Sequence, residues 1–136
     1  MGGVDWTVQG SLVERVSSWI EADAKRDATV REWQRLENEL MKKCRSRGLD
    51  FTYACRSGLA EARAMRVLGK QIKAADRHLE ISAGQMSLVT VATPVDALAK
   101  IRLALRVQGR YDWRPHALEL LEGGVATLEV VLGRDG

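Results

Sequence analysis

The chain has 136 residues, of which 46% are hydrophobic and 29% are charged, with a net charge of +3. A single domain of this size buries about two thirds of its surface on folding, so it can form a core without disulfides. The net charge is too small to indicate nucleic-acid binding, and no apolar run reaches the roughly 18 residues of a membrane span. We therefore predict one domain over residues 1–136, located in the cytoplasm.

The first predicted helix covers residues 11–47. Ser11 and Glu14 have the spacing of a capping box, in which each side chain bonds a free backbone amide near the other residue. Gly48 stands where a left-handed residue commonly ends a helix. The row of apolar residues between these ends contains three polar positions: Asp23, Arg26 and Glu37. At these positions the helix meets water, a charged partner or a break, and we favour a continuous helix because the apolar row keeps its register.

The second predicted helix covers residues 52–90 and folds back on the first through the turn at residues 48–50. Its most regular feature is a seam with strict three-and-four spacing: Met65, Leu68, Ile72, Ala75, Leu79, Ser82, Met86 and Val89. An adjoining row is also apolar: Val67, Ala74, Ile81 and Leu88. Two apolar rows predict that this helix contacts more than one partner. Residues 88–91 also have a composition typical of strands.

Two shorter helices are predicted over residues 94–108 and 113–132. The first begins at Thr93-Pro94, and Asp112 is the predicted cap of the second. Their apolar rows are Val95, Leu98, Ile101 and Leu105 in one, and Leu118, Leu121, Val125, Leu128 and Leu132 in the other. The pair Gly123-Gly124 indicates a close approach of another backbone, a break, or a tolerated weak point. Residues 127–132 are also compatible with a strand.

These elements predict an all-α fold: a long antiparallel hairpin of helices, about 50 Å in length, followed by two shorter helices in an elongated bundle. The short helices cover the hairpin only if they lie end to end, so apolar surface is left for another chain. We therefore predict a coiled-coil-like homo-oligomer, with a dimer favoured. The candidate self-association residues lie on the seam: Met65, Leu68, Ile72, Leu79 and Met86.

Few residues in the sequence suggest catalysis or metal binding. Cys44 and Cys55 flank the turn, but a zinc site needs further ligands, and His116 is the one candidate that is not excluded by helix length. Two free thiols that pack as small apolar side chains are the favoured interpretation. His78 has no carboxylate three or four residues away on its helix. We therefore predict no enzyme, no cofactor and no metal.

The feature with most functional potential is a row of cations on the second helix, called here the basic ridge: Arg63, Arg66, Lys70, Lys73 and Arg77. Their three-and-four spacing sets them on one side of the helix, where they can contact phosphates. A competing interpretation is internal pairing. In a hairpin centred near residue 50, residues whose numbers sum to about 100 lie level, which predicts three pairs: Glu37 with Arg63, Asp27 with Lys73, and Asp23 with Arg77.

Two stretches, GLAEARAMRVL at residues 58–68 and TPVDALAK at residues 93–100, resemble a group of short uncharacterised helical proteins from proteobacterial genomes. The resemblance implies a bacterial, cytoplasmic protein with an elongated helical fold, and it implies no catalytic residue or cofactor. The function expected from the sequence is a non-enzymatic, self-associating helical module that binds or regulates a protein partner. The alternative is a nucleic-acid-associated accessory protein that uses the basic ridge. No membrane partner is expected.

Overall fold

The computed structural model describes residues 11–91, 93–110 and 114–134. The regular secondary structure of these residues consists of helices: α1 (Leu12–Arg47), α2 (Phe51–Cys55), α3 (Ala60–Ser87), α4 (Pro94–Arg110) and α5 (Arg114–Arg134). The predicted all-α bundle, with two long helices followed by two shorter ones, is confirmed. The predicted cap at Asp112 lies outside the described residues.

α1 is one uninterrupted helix, as predicted, and its two ends follow the sequence signals. The Ser11 hydroxyl accepts a hydrogen bond from the Glu14 amide at 3.3 Å. At the other end Gly48 has φ +64°, and the Leu49 amide reaches back to the Cys44 carbonyl at 3.0 Å. This left-handed residue closes the helix because glycine adopts positive φ without a steric penalty.

The prediction of one continuous second helix was wrong, because residues 56–59 divide this segment into α2 and α3. Asp50 caps α2 by accepting a hydrogen bond from the Tyr53 amide at 2.9 Å. At the end of α2 the Ser57 hydroxyl donates to the Ala54 carbonyl at 2.6 Å and accepts from the Leu59 amide at 3.3 Å. A serine hydroxyl that satisfies backbone groups in this way competes with continued helix, which explains the break.

α3 ends at Ser87, three residues before the predicted end at residue 90. The Leu88 and Val89 amides bond carbonyls only three residues back, at 3.2 Å each, which is the tighter geometry of a closing helical turn. Residues 89–91 are neither helix nor strand. α4 then begins as predicted, with the Thr93 hydroxyl accepting from the Asp96 amide at 3.2 Å.

α5 is helical throughout residues 127–132, so a strand there is excluded. It also passes through Gly123-Gly124 without a break. A methyl group built on Gly124 would lie 2.9 Å from the Ala97 carbonyl oxygen and 2.8 Å from Ile101 Cγ1. Of the alternatives that the two glycines left open, the close approach of another backbone is the one observed.

The chain divides into two compact units. The central unit is Ala22–His78, and the terminal unit comprises the chain up to Glu21 and from Leu79 onwards, so that both α1 and α3 belong in part to each. The central unit carries fourteen Lys and Arg against eight Asp and Glu, a net charge of +6. The terminal unit carries seven against ten, a net charge of −3. The small overall charge therefore conceals a strongly basic unit.

The core of the central unit is a cluster built from α1, α2 and α3. Its buried members are Leu40, Cys44, Ala54, Ala62 and Met65, and partly buried apolar residues pack around them: Trp33, Leu36, Phe51, Cys55 and Leu59. The short α2 contributes Ala54 to this cluster, so it is packed into the unit although it is only five residues long.

In the terminal unit, the apolar rows that the spacing identifies on α4 and α5 are largely exposed. Leu98, Leu105 and Leu118 are 52%, 59% and 57% exposed. The buried residues of these helices include small ones, Ala97, Ala99, Ala104, Ala117 and Gly124, and larger ones, Lys100, Leu103, Val107 and Leu120. α4 and α5 approach closely at Gly124, and such an approach is made by small residues.

Candidate binding surface

The basic ridge lies on an exposed face of α3 in the central unit. All five of its cations are exposed: Arg63, Arg66, Lys70, Lys73 and Arg77. They span fourteen helical positions, or about 21 Å along the helix axis. The structure therefore presents the predicted row of positive charge to solvent.

The ridge is not paired internally as the sequence suggested. The predicted partners Glu37, Asp27 and Asp23 form no salt bridge with ridge cations among the described residues. Asp23 is instead completely buried. Within the same set of residues Arg63, Lys70, Lys73 and Arg77 have no ion pair.

The sequence nevertheless predicted closely which positions of α1 and α3 lie opposite each other. Residues other than the predicted ones form ion pairs across these positions. Arg26 of α1 holds Asp76 of α3 through two hydrogen bonds, Nε to Oδ1 at 2.7 Å and Nη2 to Oδ2 at 3.2 Å. Lys43 Nζ lies 2.6 Å from Glu61 Oε1. In both pairs the residue numbers sum to slightly more than 100. Two carboxylates of α3, Glu61 and Asp76, are therefore neutralised by cations of α1 that do not belong to the ridge.

Arg66 differs from the other ridge residues in being tied to the chain. Its Nη1 donates to the Cys55 carbonyl at 2.8 Å and to the Ser57 carbonyl at 3.0 Å. The Cys55 carbonyl belongs to the last residue of α2 and the Ser57 carbonyl follows it, at a helix end where unsatisfied acceptors attract a cation. Arg66 thus anchors α2, and the free charge of the ridge rests on the other four cations.

Apolar residues are interleaved with the ridge. Val67 is 56% exposed and Ala74 is exposed. Together with Arg63, Lys70 and Arg77 they form one row with four-and-three spacing, so cationic and apolar side chains alternate along the exposed face. The sequence showed both sets, but assigned the apolar row to contacts of its own.

The five candidate self-association residues are covered within the chain. Met65, Leu79 and Met86 are buried, at 6%, 1% and 1% exposure, and Leu68 and Ile72 are half-buried. The exposed large apolar side chains on α3 belong to the adjoining row, including Val67 and Ile81 at 56% and 51%. Self-association itself stays a prediction, and the exposed apolar surface available for it lies away from the seam.

The cysteines are free thiols in the packed core of the central unit. Cys44 is buried, and burial raises the pKa of the half-buried Cys55 thiol above its usual value. A raised pKa disfavours the reactive thiolate. Both side chains contribute to packing, as the favoured interpretation has it.

A polar group that the sequence did not indicate surrounds the end of α3 in the terminal unit. Lys100 is 3% exposed, and its Nζ donates to the Ser87 carbonyl at 3.2 Å. The Ser87 hydroxyl lies 2.6 Å from the Gly84 carbonyl and 3.0 Å from Glu119 Oε2. Burial lowers the pKa of Lys100. This arrangement satisfies the last carbonyls of a helix, which a cation stabilises.

The two histidines differ in their surroundings. His78 is exposed on α3. The ring of His116 packs against Gly84, where an added methyl group would lie 3.2 Å from Cε1, and the buried Nδ1 has no hydrogen-bond partner among the described residues. Within the described ranges, no group of three or more His, Cys, Asp or Glu side chains is placed to hold a metal ion.

Comparisons of the chain with models of known protein families, with curated proteins and with solved structures find no match. In the part of the chain that the structure describes, no helix has both the length and the apolar character that crossing a membrane requires.

Proposed function

We propose that the protein is a non-enzymatic, self-associating helical module that presents the basic ridge to an acidic protein partner. The observation that carries this proposal is that Arg63, Lys70, Lys73 and Arg77 are exposed and lack ion pairs within the described residues. Charge that is not neutralised internally is available to a partner, and it steers association with an oppositely charged surface.

The apolar residues in the ridge favour a protein over a nucleic acid as this partner. Val67 and Ala74 lie seven positions apart, about 10.5 Å along the helix. An amphipathic helix with apolar residues at the same spacing, flanked by carboxylates, matches both features of the face. A phosphate backbone offers nothing apolar for Val67 to contact, so the valine would stay in water.

A nucleic acid is the second candidate, and the +6 charge of the central unit favours it. Cations at three-and-four spacing can follow successive phosphates, and each contact adds affinity by releasing counterions. A duplex bound in this way would be recognised by its backbone and not by its bases.

Binding measurements on matched probes separate these two functions. The probes are a helical peptide of about 18 residues, with leucines seven apart and glutamates beside them, and a duplex DNA of similar charge. We expect the peptide to bind the wild-type chain more tightly than the DNA at ~0.15 M salt. A triple variant, Lys70→Gln with Lys73→Gln and Arg77→Gln, is expected to weaken peptide binding by about tenfold, because each surface charge contributes several tenths of a kcal/mol.

The control is a second triple variant that removes the same charge from α1 of the same unit, Lys25→Gln with Arg31→Gln and Arg45→Gln. These cations are exposed, and the variant should leave peptide affinity within about twofold of the wild type. The variant Val67→Ser distinguishes the two partners, because it should weaken peptide binding by several-fold and leave DNA affinity unchanged. Equal losses from the two triple variants would contradict a role for the ridge. DNA binding tighter than peptide binding would favour the second candidate.

A further inference from the structure

Five exposed apolar residues of the terminal unit lie on one surface formed by α4 and α5: Leu98, Leu105, Leu118, Val125 and Leu132. The close contact of Gly124 with Ile101 puts these residues at the same level in the pair. Gln108 near the end of α4 and Ala117, Leu118 and Leu121 near the start of α5 line one hollow that is open to solvent. The helices are therefore antiparallel, and level residues have numbers that sum to about 225.

The side chains that flank this contact form a stripe on each helix, here called the α4–α5 face. On α4 the stripe is Leu98, Ile101 and Leu105, and on α5 it is Leu118, Leu121, Val125, Leu128 and Leu132. Leu98, Leu105, Leu118, Val125 and Leu132 are 44–67% exposed, and Ile101, Leu121 and Leu128 are half-buried. The α5 stripe keeps the three-and-four spacing of a coiled-coil seam.

The stripes lie on the same side of the pair. On α5, His116 packs on Gly84 and the Thr127 hydroxyl donates to the Val91 carbonyl at 3.3 Å, so this side of the helix faces the end of α3. Leu118 and Val125 point to the opposite side of α5, about 180° away by the 3.6-residue turn. On α4 the buried Leu103 and Val107 mark the inner side, and Leu98 and Leu105 lie away from it. The two stripes thus form one outward surface.

We infer that the α4–α5 face is the surface through which two copies of this chain associate, giving a four-helix bundle across a two-fold axis. The inference rests on the self-association in the proposed function and names its surface. α4 has 17 residues, which at 1.5 Å each is about 26 Å, and two packed helices are about 20 Å wide. The flat footprint is therefore about 500 Å². Because its protruding side chains add area, the surface approaches the ~800 Å² per copy that stable interfaces bury.

The charged residues at the rim favour a second copy as the occupant. Arg102 borders the stripe on α4, and Glu122 and Glu129 border the stripe on α5. All three are exposed, and none has a salt bridge within the described residues. A two-fold axis parallel to the helices places α4 of one copy on α5 of the other. Rotation about this axis keeps the height of each residue along the helices, so residues that are level within one copy are also level between the two copies. Arg102 then meets Glu122 of the second copy, and each interface forms this pair twice.

The oligomeric mass of the full chain, measured by sedimentation equilibrium at micromolar concentration, tests the surface. We expect the wild type to have twice the 15.1 kDa of one chain. The double variant Leu105→Glu with Leu118→Glu should weaken the dimer by at least about 100-fold, because it buries four uncompensated charges per dimer. Both positions are exposed in the single chain, so far-ultraviolet circular dichroism should show unchanged helix content. The control Val67→Glu, at an exposed apolar position of α3, should stay dimeric.

A charge-swap series tests the same surface where the double variant fails to fold. Arg102→Glu should weaken the dimer by several-fold, and adding Glu122→Arg should restore the affinity. A monomeric wild type would overturn both the surface and the self-association in the proposed function. A dimer that resists both the leucine variant and the charge swap would overturn the α4–α5 face alone. Peptide binding at the ridge is independent of either result.

Discussion

Glu61 shows how one charged pair contributes to stability. Its carboxylate lies 2.6 Å from Lys43 Nζ, joining α3 to α1. The hydrogen bond from Lys43 holds the pKa of Glu61 below its usual value, and a backbone hydrogen bond acts in the same direction. The folded chain therefore binds a proton at Glu61 less readily than the unfolded chain does.

This pair predicts a dependence of stability on pH. Because the folded pKa is below the unfolded value of about 4.3, the stabilisation is complete above that pH and is lost as pH falls through the folded pKa. Thermal unfolding followed between about pH 5 and about pH 3 should show a larger fall in Tm for the wild type than for Glu61→Gln, which cannot titrate. Parallel curves for the two proteins would contradict this assignment.

The residues that pair across the hairpin also show a limit of prediction from the sequence. The level of α1 against α3 follows from the position of the turn and the constant rise of a helix, and it was predicted closely. Which side chains meet depends as well on the rotation of each helix about its own axis. A small rotation places Asp76 beside Arg26 and leaves Lys73 and Arg77 in solvent. The ridge could be identified from the sequence, but the lack of ion pairs at Arg63, Lys70, Lys73 and Arg77 among the described residues could not.

At the scale of helices, the packing of α4 on α5 is set by glycine. Position 124 approaches the backbone of α4, because a methyl group there would lie 2.9 Å from the Ala97 carbonyl oxygen. Helix starts, ends and lengths were largely predictable from local capping signals, with the break at residues 56–59 and the earlier end of α3 at Ser87 as exceptions. The sides of α4 and α5 that pack together were not, because spacing alone cannot show that Gly124 makes the close contact while Leu98, Leu105 and Leu118 stay exposed.

Two glycine substitutions test this account of helix packing. Gly124→Ala should lower the free energy of unfolding by about 1–3 kcal/mol, because the backbone of α4 must move away to make room. Gly69→Ala is the matched control in the interior of α3, where the nearest atom, Trp33 Nε1, lies 4.0 Å from the added methyl group. It should raise stability by up to about 1 kcal/mol through helix propensity. Chemical denaturation of both variants provides the measurement, and equal effects would contradict the close approach.

At the scale of the whole molecule, charge and exposed apolar surface are divided between the two units. The central unit has a net charge of +6 and carries the basic ridge, whereas the terminal unit has a net charge of −3 and carries the α4–α5 face. In the proposed arrangement, one chain associates with itself through the α4–α5 face of the terminal unit and with a partner through the basic ridge of the central unit. This division is the one that we expect of the proposed module, which brings other molecules together.

The proposal that the basic ridge binds an acidic partner is tested most directly by mapping where the acidic amphipathic peptide contacts the chain. Amide chemical shifts in nitrogen-15 spectra of the full-length protein are recorded as the peptide is added. If the peptide binds the basic ridge, we expect the largest shift changes on residues 63–77 of α3. We expect these changes to disappear in the variant with Lys70→Gln, Lys73→Gln and Arg77→Gln. Changes that are absent, or that are largest outside α3, would contradict the proposal.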